Sequence, residues 1–265
     1  MGYLFNYFDN QKKLKSYTLH PELTKDFSNS MISYLENCYQ KFLKVPRIKE
    51  IMKDPAETRK YMYPVSTITF KNALPIKVCL GFDNTDENEG FAMFDSKEKT
   101  YYVCLNPSFF TKSKDAQIYI LLHEIGHIRL SHTSAKNSYH NILTGAGYSE
   151  HRGYLSKKGK VMYPESNADL YAILNGADLY AILDSCVPKD FDKKYDYTST
   201  NAEIAARYLN NYKKLKKWGY KMYHRPGKAA PASSKSDAMS IAESVINGYL
   251  TEAEGKLLLE SCGVE

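Results

Sequence analysis

The sequence has no stretch approaching the roughly 20 consecutive apolar residues that a membrane span needs. Its first residues, Met1-Gly2-Tyr3-Leu4-Phe5-Asn6, lack a basic segment followed by an apolar run. These two absences lead to the expectation of a cytoplasmic chain with no membrane partner. Cysteine is sparse: Cys38, Cys79, Cys104, Cys186 and Cys262 are widely spaced, odd in number, and include no C-x-x-C pair. Reduced, mostly buried thiols are therefore expected, rather than a disulfide framework or a thiolate zinc site. A large excess of one charge is also missing, since 36 Lys and Arg face 30 Asp and Glu, giving +6. The densest basic stretch, Lys213, Lys214, Lys216 and Lys217, reads as a solvated helix face. Nucleic acid is accordingly not expected as a partner; strongly salt-dependent affinity would be its signature.

What is present is ordinary for a globular protein: 43% hydrophobic and 25% charged residues over 265 positions. That length suits one large domain, or one domain with a small appendage. Helical spacing of Met31, Ile32, Leu35, Tyr39, Phe42 and Leu43 predicts a helix over 22–44, ended by Pro46. Strands are expected at 66–70, 76–80, 90–94 and 100–105, the last two joined as a hairpin by the polar turn Asp95 to Lys99. Asp115 reads as the N-cap of a helix over 116–131 that is apolar nearly all round, and therefore central. Residues 133–163 form a long connection of the kind that serves as a lid. A second helix is expected over 165–184. It contains an echo, Ala168 to Leu174 repeated as Ala177 to Leu183, which a continuous helix would put on opposite sides. Thr200-Asn201-Ala202-Glu203 opens a further helix. The expected organisation is an N-terminal helical region over 1–64, a core over 65–224, a linker over 225–236, and a C-terminal helical hairpin over 237–265.

The chemistry centres on His123-Glu124-Ile125-Gly126-His127. Residues four apart on a helix share a face, so the two imidazoles can hold one metal ion. Glu124, about 100° round the helix, is placed to take a proton from a water at that metal's open position. Catalytic zinc takes three protein ligands and keeps one position open. His132, His140, His151 and Glu165 are the candidates for the third ligand. His132 does not fit the metzincin spacing and reads as a helix-end residue, and nothing supports His140 or His151. Glu165 and Asp169 lie one turn apart on the next helix. The pair resembles that of Glu-zincins, which implies Glu165 as a ligand and Asp169 as the acceptor that orients a ligand histidine.

The two blocks His123-Glu124-Ile125-Gly126-His127 and Glu165-Ser166-Asn167-Ala168-Asp169-Leu170-Tyr171-Ala172 resemble the ImmA/IrrE metallopeptidases, with the patterns H-E-[LIF]-G-H and E-x-x-A-[ND]-x-[FY]-A. The resemblance covers about residues 65–185. It implies His123, His127 and Glu165 as ligands of one zinc ion, Glu124 as general base, and the strand near Tyr101–Leu105 as the edge strand for an extended substrate. No helix-turn-helix is found, so the regulatory role common in that family is not carried over. The expected fold is α+β and zincin-like: a small mixed or antiparallel sheet beside two metal-bearing helices, with extra helices at both ends. The expected function is a zinc endopeptidase acting on a protein or peptide substrate. The alternative is a non-catalytic, zinc-stabilised interaction protein, for example of a phage or mobile element, that assembles or self-associates through residues 237–265.

Overall fold

The computed structural model describes residues 2–8, 14–51, 53, 62–71, 73–81, 89–130, 132–133, 163–179, 181 and 211–220, with 241, 245, 252 and 255–256. The chain is α+β. It opens with an antiparallel hairpin, β1 (Tyr3–Phe8) and β2 (Leu14–Leu19), with Tyr3 opposite Leu19. This hairpin lies inside the stretch 1–64 that the sequence suggested was helical. Helix α1 (Lys25–Phe42) follows, capped by Thr24, whose hydroxyl accepts the Phe27 N–H at 3.2 Å. Its buried residues Ser28, Ile32, Leu35 and Tyr39 recur at one-turn spacing, so a single stripe faces the core. A short helix, α2 (Pro46–Ile51), completes the first part.

The main sheet has four strands: β3 (Met62–Ile68), β4 (Ile76–Gly81), β5 (Gly90–Asp95) and β6 (Thr100–Leu105). Their spatial order is β3-β4-β6-β5. β3 and β4 are antiparallel, β4 and β6 parallel, and β5 and β6 antiparallel. The β5–β6 turn is held by Asp95, whose carboxylate accepts the N–H groups of Lys97 (2.7 Å) and Glu98 (3.1 Å). Because β6 pairs with β4 on one side and β5 on the other, Tyr101–Leu105 is interior. This corrects the expected substrate edge: among the described residues the strand at that border is β5.

Alternation sorts the sheet residues onto two faces. Ile76, Val78, Val103 and Leu105 pack in the main core with α1 and the two helices that follow, whereas Cys79, Tyr102 and Cys104 form a separate cluster. After a 3-10 turn (Pro107–Thr111), α3 (Lys114–Arg129) runs through the middle of the main core. Ser113 is its cap, its hydroxyl accepting the Ala116 N–H at 3.3 Å, two residues earlier than the expected Asp115. Leu121, Leu122 and Ile125 are fully buried, each stabilising the fold by about 1.5–3 kcal/mol. Helix α4 (Tyr163–Leu174) packs along α3. It stops at Leu174 because Gly176 adopts φ +103°, backbone that L side chains rarely take. The second copy of the internal echo therefore starts beyond the break and does not continue the helix.

Residues 211–217 are helical. Within the basic stretch there, Lys214 is half-buried, and desolvation pushes its pKa down to about 8. Lys213 and Lys216 lie 3.7 and 3.8 Å from the Glu252 carboxylate, so this stretch is not a bare cationic face. The expected capping box at 200–203 and linker at 225–236 fall outside the described residues, as do His140, His151 and almost all of the 133–163 connection. Among the described residues no helix is long and apolar enough to cross a membrane.

Candidate metal centre

α3 and α4 together bring three metal-ligating side chains to one point. His123 and His127 project from the same face of α3 with their Nε2 atoms 3.0 Å apart. Glu165, in the first turn of α4, reaches them from the facing helix: Oε2 lies 3.2 Å from His123 Nε2, and Oε1 lies 3.5 Å from His127 Nε2. One donor atom from each residue falls within 4.8 Å of the other two, so the trio could hold a metal ion.

The donor set fits a cation in its protonation chemistry as well as its spacing. Each histidine has its Nδ1 engaged elsewhere. His123 Nδ1 donates to Asp169 Oδ1 at 2.9 Å. His127 Nδ1 lies 2.9 Å from His132 Nδ1. Burial and the neighbouring His127 hold His132 well below the usual imidazole range, so its ring is neutral and can accept. With both rings neutral, these tautomers would leave the lone pair on Nε2, so that two lone pairs and a carboxylate confront one another. A cation between them satisfies all three.

The electrostatics point the same way. Burial disfavours a charged His123 ring, but the carboxylates of Asp169 and Glu165 outweigh it and push the pKa up to about 10. Burial likewise opposes ionisation of Glu165, yet the histidines hold its carboxyl well below the usual range. The pocket thus collects negative charge that a proton offsets on His123, and that a metal ion can offset instead.

Asp169 is the hub behind the ligands and is fully buried. Besides His123, it receives the Tyr119 hydroxyl at 2.6 Å and the Asn211 amide N–H at 3.2 Å. Asn211 in turn accepts from the Ser166 hydroxyl at 2.6 Å. Tyr119 stands one turn before His123 on α3, and Asn211 comes from the helical segment 211–217. Three parts of the chain therefore converge to orient one imidazole.

Glu124 lies outside the trio, beside β5. The Ala92 N–H of that strand hydrogen-bonds its carboxylate, and desolvation, the largest influence, raises its pKa despite the two nearby histidines. The expected site residues His123, Glu124, His127, Glu165 and Asp169 are thus gathered in one place. The sequence reading missed four contributors. His132 is not a bare helix-end residue but a buried partner of His127. Its spacing of five from His127 is the signal, since the chain leaves α3 at Leu130 and folds His132 back, with its N–H on His127 O at 2.8 Å. Tyr119, four before His123, was legible as a same-face neighbour. Asn211 carried no local signal. Gly126 was legible only as a motif position: a Cβ there would come within 3.2 Å of Ala168 O and of Tyr171 Cβ and Cδ1. Its lack of a side chain lets α4 approach closely enough for Glu165 and Asp169 to reach the histidines.

No protein-family model, curated protein or solved structure matches the chain.

Proposed function

We propose that the chain is a zinc-dependent endopeptidase with a zincin-like arrangement, in line with the sequence resemblance to ImmA/IrrE metallopeptidases. One observation carries the reading. Two imidazoles and Glu165 form a three-donor set, while Glu124, adjacent in sequence to the first ligand, is left out of that set with a raised pKa. A purely structural zinc site closes with four ligands and has no use for such a glutamate.

His123, His127 and Glu165 would hold the zinc ion. When bound, zinc would supply a Lewis acid that polarises a peptide carbonyl and makes water more acidic. Glu124 takes the proton of the attacking water on a carboxylate oxygen and passes it to the leaving amine nitrogen. Its raised pKa suits both transfers, because a stronger base accepts more readily and the protonated form persists nearer neutrality. Asp169 and His132 hold the two rings with Nε2 forward throughout. β5 presents backbone groups along its outer border beside Glu124. An extended peptide can add there as a further strand, which places a scissile bond next to the base.

Zinc content and proteolysis of a broad mixture of unfolded proteins test this reading, comparing the wild type with Glu124→Gln. The expected result is one zinc per chain in both proteins. Cleavage by the wild type should be reduced about 10²–10⁴-fold in the variant, the usual worth of a general base. Absence of zinc from both, or equal cleavage by both, would refute it. Zinc in both with cleavage by neither would favour the non-catalytic alternative.

A further inference from the structure

The face of the sheet turned away from α3 carries a second cluster of metal-ligating atoms, all sulfur. Cys79 on β4 and Cys104 on β6 are directly paired across parallel strands, and both are fully buried. Their thiols are hydrogen-bonded to each other. Met62, at the start of β3, brings a third sulfur: its Sδ lies 2.9 Å from Cys104 Sγ. Met62 is paired with Gly81, which places its side chain on the same face of the sheet as Cys79, two residues before Gly81. Phe91 and Met93 of β5 pack against the cluster from the other side. All three cysteines among the described residues are free thiols.

This grouping differs in kind from an ordinary apolar packing cluster. Two thiols and a thioether from three adjacent strands meet at one point. Thiolate and thioether donors select soft ions, copper(I) above all. A three-sulfur set also suits copper(I) better than zinc, which in structural sites takes four ligands. Hydrogen bonding to Cys104 lowers the pKa of Cys79, and the Lys77 ammonium on the same face lowers it further. Cys104 is raised by the same hydrogen bond and by burial, so Cys79 gives up its proton first. Met62 is 40% exposed, which gives an ion a way in from solvent.

We propose that Cys79, Cys104 and Met62 form a binding site for one copper(I) ion. The ion displaces the two thiol protons to solvent, forms two copper–thiolate bonds and accepts a lone pair from the Met62 thioether. No electron is transferred. The bound group carries one net negative charge, and Lys77, two residues from Cys79 on the same strand face, stands nearby with its ammonium paired to Glu98 at 3.1 Å. The sulfurs occupy the opposite face of the sheet from the histidine trio, so this assignment stands or falls independently of the peptidase reading.

The test uses the full-length chain, zinc-loaded, with Cys38, Cys186 and Cys262 replaced by Ser. Copper(I) is titrated anaerobically against a chromophoric copper(I) chelator. One ion per chain should be withheld from the chelator, with a thiolate-to-copper charge-transfer band in the ultraviolet. Cys79→Ser and Cys104→Ser should each abolish both signals. Met62→Leu keeps both thiols and the packing volume, so unfolding would not account for its effect. It should weaken binding about 10-fold or more, at least the worth of an outer-shell metal partner. No ion withheld by the parent protein would overturn the proposal, as would unchanged affinity in Met62→Leu. An intact mass two hydrogens lighter, with no copper bound, would overturn it too, and would mark the pair as a disulfide.

Discussion

Asp169→Asn isolates the charge behind His123 from the hydrogen bonds that surround it. The substitution preserves shape. The amide oxygen can take the place of Oδ1 and still accept from Tyr119 and from His123 Nδ1, which approach at 2.6 and 2.9 Å. The amide nitrogen then faces the Asn211 N–H group, 3.2 Å away in the wild type. Asn211 can turn over and offer its oxygen, and the Ser166 hydroxyl can rotate from donor to acceptor. Almost every hydrogen bond survives, and what disappears is one buried negative charge. Two consequences follow. His123 loses the partner that does most to raise its pKa, so the pKa falls from about 10 toward its ordinary value. Metal affinity falls about 10–100-fold, the usual worth of a carboxylate behind a ligand histidine, equivalent to about 1.4–2.7 kcal/mol. Zinc competition against a chromophoric chelator, with far-ultraviolet circular dichroism as a folding control, measures the effect. A folded variant whose zinc affinity stays within about threefold of wild type would refute the role assigned to Asp169.

Removing the ring behind the second ligand, as in His132→Ala, should weaken zinc binding by a similar factor of about 10–100, while His132→Asn, which retains an acceptor, should recover part of it; equal loss in both would show that packing alone was disturbed. Gly126→Ala gains about 1 kcal/mol of helix propensity, but its Cβ meets Ala168 O and Tyr171 at 3.2 Å, and overpacking of that kind costs about 1–3 kcal/mol. Denaturant titration should therefore show a net loss, with weaker zinc binding as α4 is pushed away; a stabilised variant of full affinity would contradict the close-approach argument. In metal-free protein, His123 rises from 6.5 to about 10 on folding, so its stabilising contribution is complete below about pH 6.5 and lost as pH rises through about 10. Glu165 is lowered from 4.5, so its contribution is present above that value and lost as pH falls. The difference in thermal midpoint between metal-free wild type and His123→Gln should shrink between pH 7 and 10, and a constant difference would exclude the pairing.

The parts of this fold that were legible in the sequence are those in which local pattern and tertiary role agree. Strands β4, β5 and β6 are short, largely apolar runs bounded by turn residues, so they were placed to within a residue. α3 was legible because its motif needs a helix and its neighbours are apolar all round. The β1–β2 hairpin was not legible: its strands mix polar and apolar residues without the alternation of a half-buried sheet, and β1 packs against groups distant in sequence, such as Tyr3 on Trp218. The strand order also escaped. A hairpin in sequence says that β5 and β6 are neighbours, but not which of them pairs with β4, and that choice decides which border faces Glu124. At the site, ligand spacing is local and was readable. The groups that orient the ligands are not: Asn211 meets Asp169 from 42 positions away in sequence. Gly176 was readable as a helix breaker, yet the close packing of its backbone on Lys25, 3.1 Å from an added Cβ, was not.

The placement of charge around the histidines accounts for the separation of roles at the centre. Without a metal, Glu165 and Asp169 bring two negative charges into a buried pocket, and a proton on His123 offsets one of them. One uncompensated charge remains, which a buried site tolerates poorly. A monovalent ion that displaced the His123 proton would leave the imbalance as it was. A dication that displaced it would close the balance, and the Nδ1 bonds to Asp169 and His132 already present Nε2 from both rings to receive it. Glu124 stands outside this account. It is not one of the three donors and is not needed for neutrality, and the desolvation that raises its pKa outweighs the lowering by the two nearby histidines and the Ala92 N–H. A carboxylate kept basic beside the three donors, and bonded to the N–H of a strand that is a border among the described residues, is placed to exchange a proton with whatever lies between that strand and the histidines. The trio could therefore hold a cation without Glu124, and on the proposed reading Glu124 is the group that exchanges the proton.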